Sequence, residues 1–222
     1  MINTTLQILS LSISLFNASP CEGRESTGYV VSEKGACTGV LIRGDTVITA
    51  AHCIKDLPHD KVTVGFGERI PDKDIFNFQV RRIAVHPTED LAILTLYVDT
   101  LRHPASLPKH AAARHLTLEM EGYGYDEDGS VGYLQCRTSD VGYSDGFIVH
   151  LEGSCFGDSG GGSFHGNTIH SVNSYVTFQP LAEDLERCEW FGTAIDLFPH
   201  VDWIENVLAG GSYAWNSSGC QG

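Results

Sequence analysis

CFGDSGG, residues 155–161, places one hydroxyl and one acid inside a glycine-rich stretch. Glycine adopts backbone conformations that other residues resist, so the stretch predicts a sharp turn. Such a turn exposes the Ser159 hydroxyl and directs the N–H groups of Gly157 and Ser159 toward one point. Convergent N–H donors can stabilise the oxyanion of an acyl-transfer reaction. A glycine-rich stretch is often only a turn without a function of its own. No lysine follows this one, so it is not a phosphate-binding loop.

A serine nucleophile needs a base that takes its proton and an acid that orients the base. TAAHC at residues 49–53 offers His52 between small residues and a cysteine. Asp90 leads into the apolar run LAIL, where its carboxylate can be partly buried, although the neighbouring Glu89 competes for the role. A lone histidine is more often structural than catalytic, and Asp90 alone could simply begin a strand. Together, the three segments favour catalysis.

TAAHC, DLAIL and GDSGG resemble the three signature segments of the chymotrypsin/trypsin family of serine proteases, in the same order. The resemblance extends from Tyr29 to Leu208. It implies an all-β, chymotrypsin-like fold with two antiparallel Greek-key β-barrels and a C-terminal α-helix. It also implies a serine endopeptidase that works through an acyl-enzyme, with His52 as general base, Asp90 as its orienting acid and Ser159 as nucleophile.

The resemblance implies further roles around this triad. The N–H groups of Gly157 and Ser159 would form the oxyanion hole, and Asp158 would be the buried acid that shapes it. The implied substrate-binding residues are Gly153, Phe156, Ser174, Tyr175, Val176 and Gly192.

The specificity pocket would have Gly153 at its floor and Val176 and Gly192 at its walls. No acid stands at the floor, so binding of Lys or Arg side chains is not supported. Val176 should narrow the entrance. The expected preference is therefore for small or medium apolar side chains.

One family feature is missing. Zymogens of the family release an Ile-Val-Gly-Gly-like N-terminus, whose amine pairs with the acid before the serine, and this chain has no such segment. A buried, unpaired carboxylate is costly, so Asp158 needs another buried donor or the N-terminus left by signal cleavage. The gap motivates an alternative, a catalytically silent pseudoprotease that acts as a binding module. An esterase with the same triad is a third reading, since the chemistry is shared.

Seven cysteines indicate an oxidising compartment. The resemblance implies the disulfides Cys37–Cys53, Cys155–Cys188 and Cys21–Cys136, which would leave Cys220 over. The third pairing has two alternatives, Cys21–Cys220 and Cys136–Cys220.

The N-terminal residues resemble a signal peptide. Residues 1–20 carry no charged side chain, and LQILSLSISLF at 6–16 is too short to span a bilayer but suits a signal-peptide core. A buried first strand is the alternative. The expected organisation is a signal peptide at 1–20, an N-terminal barrel at 21–110, a C-terminal barrel with the helix at 111–210, and a loose tail at 211–222. The expected location is extracellular, with the periplasm as an alternative.

Composition limits the partners. The formal net charge of -14 argues against binding nucleic-acid phosphates, which requires Lys and Arg patches. No membrane association, metal or other cofactor is predicted. Calcium is the one metal considered, and Glu68, Asp72 and Asp74 lack the ligand spacing of a calcium site. The expected partners are protein or peptide substrates and protease inhibitors.

Short runs of β-branched and aromatic residues, separated by turn signals such as Gly44-Asp45, predict the strands. The predicted strands are 29–32, 38–42, 46–49, 61–66, 77–85, 91–96, 116–122, 133–138, 147–151, 162–164, 168–176 and 191–196. A linker is predicted at 104–113. Pro199–Leu208 predicts the one helix, since a proline opens it and glycines follow its apolar stripe.

Overall fold

The computed structural model describes residues 19–71, 77–113, 116–125, 130–144, 147–150, 154–176 and 192–211. Several predictions made from the sequence lie outside these ranges. They concern the signal peptide before residue 19, the pocket floor Gly153, the cysteines Cys188 and Cys220, and the acids Asp72 and Asp74.

The N-terminal half follows a two-residue strand, β1 (Ser19–Pro20), and forms a closed six-stranded antiparallel barrel in the order β2-β3-β4-β7-β6-β5. Its strands are β2 (Thr27–Ser32), β3 (Gly35–Arg43), β4 (Thr46–Thr49), β5 (Val62–Gly65), β6 (Phe78–Val85) and β7 (Ala92–Leu96). The predicted Gly44-Asp45 turn joins β3 to β4, where Arg43 pairs with Thr46. Apolar side chains such as Leu41, Val47 and Leu94 fill the interior and are fully buried.

The C-terminal half forms the second antiparallel barrel, in which β9, β10, β13, β12, β11 and β8 follow one another and a β8–β9 pairing closes the circle. Its strands are β8 (Thr117–Gly122), β9 (Gln135–Ser144), β10 (Phe147–His150), β11 (Gly162–His165), β12 (Thr168–Val176) and β13 (Gly192–Asp196). β1 pairs with the start of β9, through Ser19 and Cys136. The two barrels confirm the all-β, chymotrypsin-like fold class.

The helix α1 (Val201–Leu208) follows a 3₁₀ turn at Phe198–His200, which explains why the sequence placed its start at Pro199. Its buried face contributes Trp203, Ile204 and Val207 to an apolar cluster that also contains side chains of both barrels. This cluster fixes one barrel against the other and therefore fixes the cleft between them. No helix within the described ranges is both long enough and apolar enough to cross a membrane.

One predicted strand is too short. The predicted strand 133–138 overlaps only the first residues of β9, which runs from Gln135 to Ser144. Ser139 and Val141 both face the interior and are 2% exposed, yet the polar residues between and around them hide the pattern in the sequence. Burial within the barrel overrides the weak intrinsic strand preference of the polar residues and of Gly142 in this stretch.

Candidate active site

His52 and Asp90 meet at one edge of the N-terminal barrel. His52 lies in the 3₁₀ turn Ala51–Cys53 directly after β4, and Asp90 precedes β7. These two strands pair, with Thr49 opposite Ala92, so the adjoining residues are brought together. The ring Nδ1 of His52 lies 2.7 Å from Oδ2 of Asp90, and the backbone N–H of His52 donates to Oδ1 at 2.8 Å. Both carboxylate oxygens therefore hold the same histidine.

Ser174, on β12 of the other barrel, completes the surroundings of this acid. Its hydroxyl donates to Oδ2 of Asp90 at 2.5 Å. Burial alone would raise the pKa of Asp90, but the hydrogen bonds from the His52 ring, the Ser174 hydroxyl and the His52 backbone lower that pKa below its usual value. The Asp90 side chain is 8% exposed while that of His52 is 44% exposed, so a shielded carboxylate supports an accessible imidazole.

The turn predicted around Ser159 is present. Gly157 and Gly160 have φ angles of 101° and 86°, in the left-handed region that glycine adopts easily. The backbone N–H of Asp158 donates to the carbonyl of Cys155 at 3.0 Å, and that of Gly161 donates to the carbonyl of Asp158 at 2.9 Å. Within the described part of the chain, the N–H groups of Gly157 and Ser159 donate no hydrogen bond. Both remain available to a ligand.

Thr38, on β3, fastens the Ser159 turn to the first barrel. Its backbone N–H donates to the carbonyl of Ser159 at 2.9 Å, and its hydroxyl donates to the carbonyl of Gly157 at 2.8 Å. The Sγ atom of Cys53 lies 3.8 Å from the Ser159 carbonyl and 3.8 Å from Nε2 of His52. Cys53 therefore contacts both the ring of His52 and the backbone of the Ser159 turn. The sequence analysis missed Thr38, because its partners in the Ser159 turn are 119 or more residues away along the chain.

The Ser159 hydroxyl makes no hydrogen bond with the residues that the structure describes. In unliganded enzymes, hydrogen bonds between catalytic groups are often long and tighten only when substrate binds. In the described part of the chain, His52 and the Ser159 turn share a contact with Sγ of Cys53, and no hydrogen bond joins the Ser159 hydroxyl to His52.

Asp158 is buried beneath the turn and has a charged partner. Its Oδ1 accepts the N–H of Gly124 at 2.8 Å, and its Oδ2 accepts the N–H of Cys155 at 2.9 Å. Nη2 of Arg137, on β9, donates to the same Oδ2 at 3.0 Å, and both side chains are almost completely enclosed. Arg137 is a residue that the sequence analysis did not identify. β9 does not alternate between apolar and polar residues at this point, because Gln135, two residues before Arg137 on the same face, is also buried and polar. The pattern therefore did not indicate that Arg137 is buried.

Two glycines leave room for the Asp158 carboxylate. A Cβ atom on Gly122 would lie 2.2 Å from Oδ1, and one on Gly124 would lie 2.6 Å from the carboxyl group. Side chains at these positions would displace the carboxylate, so Gly122 and Gly124 are part of what fixes the acid beneath the turn.

Comparison with known proteins identifies the family. The family model described as Trypsin matches residues 17–204. This chain belongs to the trypsin family. It is 26% identical over 230 residues to alpha- and beta-fibrinogenase OhS1 of Ophiophagus hannah, which covers 88% of this chain and 85% of the relative. It is 27% identical over 230 residues to the serine protease harobin of Hydrophis hardwickii, covering 89% of this chain and 84% of the relative.

Solved structures of trypsin-like fold superpose on the chain. The scabies mite inactivated protease paralogue S-D1 has a TM-score of 0.74 at 18% identity, over 86% of this chain and 95% of the other. Mouse neuropsin, a serine protease, has a TM-score of 0.71 at 18% identity, over 86% and 99%. One of these proteins is titled inactivated and the other a protease, so the shared trypsin fold alone does not decide activity.

The predicted substrate-binding residues of this trypsin-family chain fall into different surroundings. Phe156 is 47% exposed beside the Ser159 turn, whereas Ser174 is 5% exposed and binds Asp90. Val176, at the end of β12, pairs with Gly192 at the start of β13, and Tyr175 pairs with Thr193. The side chains of Tyr175 and Val176 and the whole of Gly153 lie outside the described part of the structure. Their contacts with substrate stay predictions.

The cysteines follow the pairings that the resemblance implies wherever both partners are described. Disulfides join Cys37 to Cys53 and Cys21 to Cys136. Cys155 is also disulfide-bonded, and its predicted partner Cys188 lies outside the described ranges. Two groups of acids, histidines and cysteines come close enough to suggest a metal, but each contains a disulfide-bonded cysteine. Their sulfur atoms are not available as thiolate ligands.

Proposed function

We propose that this trypsin-family chain is an active serine endopeptidase that uses His52, Asp90 and Ser159 as its catalytic triad. The observation that carries the proposal is the double contact between Asp90 and His52, in which Nδ1 and the backbone N–H of His52 both meet the carboxylate. Nε2 of His52 lies 3.8 Å from Sγ of Cys53, an atom that is itself 3.8 Å from the Ser159 carbonyl. A carboxylate in this position selects the tautomer in which Nε2 is unprotonated and can act as a base.

In the first half of the reaction, Oγ of Ser159 attacks the carbonyl carbon of the scissile peptide while its proton passes to Nε2 of His52. The carbonyl oxygen becomes an oxyanion that accepts the N–H groups of Gly157 and Ser159, neither of which has a partner among the described residues. The C–N bond then breaks, and His52 gives its proton to the leaving amine. An ester on Ser159 remains.

In the second half, a water molecule attacks this ester while His52 takes one of its protons. The intermediate collapses, Ser159 recovers its proton and the acid product leaves. Asp90 stays ionised throughout, and its lowered pKa supports this role because an anion stabilises the imidazolium formed in both halves. Each oxyanion donor contributes about 3–4 kcal/mol to transition-state stabilisation in enzymes of this type.

The proposed substrates are proteins or peptides with small or medium apolar side chains at the cleaved position. This preference depends on the resemblance and on the absence of an acid at Gly153. It is supported at the opposite wall, where a Cβ on Gly192 would lie 2.8 Å from Oγ of Ser154, so that this wall carries no side chain of its own. Protease inhibitors that imitate a substrate would bind in the same cleft.

The proposed site of action is outside the cytoplasm. The Cys37–Cys53 and Cys21–Cys136 disulfides require an oxidising compartment to form and persist. Relatives at 25% identity are named as snake venom serine proteases, BmSP of Bungarus multicinctus and NaSP of Naja atra, and venom is an extracellular fluid.

The decisive experiment is labelling with a fluorophosphonate probe, in which Oγ of Ser159 displaces fluoride from phosphorus. The secreted chain should be labelled at Ser159, and Ser159→Ala should not. Hydrolysis of peptide and ester substrates of the same sequence then separates an endopeptidase from an esterase, since an esterase would leave the peptide intact. Folded protein that takes up no probe under any condition would reject the proposal.

The alternative is a catalytically silent binding module, and the structural similarity to an inactivated protease paralogue gives it a specific basis. In that case Ser159 would resist the probe although the chain is folded, and peptide or protein ligands would bind without being cleaved. The ready acid–histidine pair and the available N–H groups at Gly157 and Ser159 favour the active enzyme.

A further inference from the structure

Asp158 is the buried acid whose partner could not be predicted from the sequence. The turn that carries Ser159 lies directly above its carboxylate, because Asp158 is part of that turn. Any displacement of the carboxylate moves the N–H groups of Gly157 and Ser159, which flank it in the chain. The geometry of the oxyanion hole therefore depends on what holds Asp158.

In the structure, a side chain of the protein itself fills this position. Arg137 projects from β9 into the interior of the second barrel, and its guanidinium lies 3.0 Å from Oδ2 of Asp158. The carboxylate receives two backbone N–H groups as well, from Gly124 and Cys155. A buried carboxylate needs both a counter-charge and hydrogen bonds, and these three donors provide them.

His150 adds no second positive charge beside this arginine. It is fully buried, and burial first, then the Arg137 charge, lower the pKa of His150 to about 4. His150 is therefore neutral at ordinary pH, and the Arg137 guanidinium faces the Asp158 carboxylate without a charged imidazole next to it.

The N-terminal segment is held elsewhere. Ser19 pairs with Cys136 in the sheet, and the Cys21–Cys136 disulfide ties the segment to β9 one residue before Arg137. Neighbouring residues of a strand point to opposite faces, so the disulfide lies on the other face of β9 from the guanidinium. Further along, Arg24 is bound through its backbone and its guanidinium to the buried carboxylate of Glu121.

We propose that Arg137 is the positioning residue of the oxyanion hole, and that the chain becomes competent on folding, without a cleavage that frees a new N-terminus. In this chain the Arg137 guanidinium takes the place of the ammonium group that family zymogens must first release. The inference rests on the proposed function, because it concerns how that same active site is set.

The charge of Arg137, the partner of Asp158, predicts a pH dependence of labelling that a purely structural role would not produce. An α-amino group loses its charge near pH 8 and a lysine ammonium near pH 10, whereas a guanidinium stays charged at any pH that a folded protein survives. Activity that depends on an arginine should therefore persist at alkaline pH.

The experiment measures the rate of fluorophosphonate labelling of Ser159 from pH 6 to about pH 10.5. The secreted chain is compared with the same chain carrying an uncleavable N-terminal extension, and with Arg137→Gln and Arg137→Lys. We expect the extension to change the rate less than about twofold and the alkaline rate to be maintained. Arg137→Gln should label at least about 100-fold more slowly, the effect of losing oxyanion donors. Arg137→Lys should keep much of the rate near pH 7 and lose it as the pH rises through about 10.

Arg24→Gln is the matched control, since it breaks another shielded ion pair of the same barrel without touching Asp158. It should label at the rate of the unchanged chain. If Arg137→Gln fails to fold, the pH dependence of Arg137→Lys carries the test. An extension that lowers labelling more than about tenfold, with recovery after its removal, would overturn the inference while leaving the proposed function intact. So would an Arg137→Gln chain that labels normally. Absence of labelling in every form would instead reject the proposed function.

Discussion

The hydroxyl of Ser174 donates to Oδ2 of Asp90 at 2.5 Å, the same oxygen that receives the ring of His52. The donor comes from β12 of the second barrel, whereas the acid and the histidine belong to the first. The Asp90 carboxylate is thus the point at which a residue of the second barrel affects the electrostatics of His52, the proposed base, in the first barrel. Its ionised form is favoured, and burial shields it from water.

Replacement of Ser174 by alanine should make the protein less stable at neutral pH. The folded-state pKa of Asp90 lies below its ordinary value, so its stabilisation is present above about pH 4 and is lost as the pH falls through the folded pKa. A hydrogen bond to a buried charge contributes about 1.5–3 kcal/mol. Denaturant melts should show a deficit of about that size for Ser174→Ala at pH 7, narrowing toward pH 2. A deficit that did not depend on pH would mean that the hydroxyl stabilises by packing alone.

Asp90→Asn should fold and lose most of its activity. The amide keeps the shape of the acid but reverses the preferred tautomer of His52, a change that lowers kcat by about 10⁴ in serine proteases of this family. Steady-state kinetics on a peptide substrate would measure the change. Glu89→Gln is the control, because the Glu89 carboxyl contacts the Thr88 hydroxyl rather than His52. Equal losses in the two variants would contradict the assignment of Asp90.

Gly124→Ala should slow the labelling of Ser159 by more than about tenfold, because the added methyl group would lie 2.6 Å from the Asp158 carboxyl and must displace it. Gly142→Ala is the matched control. It lies in β9 of the same barrel, and a Cβ there meets nothing within 4 Å. Unchanged labelling of Gly124→Ala would show that the Ser159 turn tolerates a displaced acid.

Acid should destabilise the protein through His150. The folded-state pKa of His150 is lowered from 6.5 to about 4, so the unfolded chain takes up a proton first as the pH falls. Stability should therefore decline between pH 6.5 and pH 4, by about 3 kcal/mol from this group. His150→Gln should remove that part of the decline in denaturant melts, whereas His165→Gln, at an exposed position, should leave it. A decline of the same size in His150→Gln would assign the acid sensitivity to other groups.

Local sequence signals were sufficient for most of the fold. The Gly44-Asp45 turn, the strand at 168–176 and the helix near Pro199 are each decided by residues close to one another in the chain. The three segments around His52, Asp90 and Ser159 could be proposed as one site because together, and in this order, they resemble the signature segments of the family; their catalytic roles stay predictions.

Arg137 and Thr38 could not be predicted because their roles depend on contacts between distant parts of the chain. Strands with one buried face usually alternate apolar and polar residues, but at the start of β9 the interior positions are Gln135, Arg137 and Ser139. A polar residue in such a position is typical of an exposed face, and only the closure of the second barrel buries it. Thr38 likewise reads as an ordinary strand residue until the Ser159 turn docks on it.

The division of the proposed triad between two barrels has a consequence for how such a chain is made. If Arg137 sets the site on folding, as proposed, no inactive precursor protects the cell that synthesises the protein. Here the histidine and acid stand on one barrel and the serine on the other, with Thr38 and Ser174 as the fasteners between them. A chain in which only one barrel has folded lacks part of the proposed triad. Such a chain would be inactive until both barrels have folded and docked.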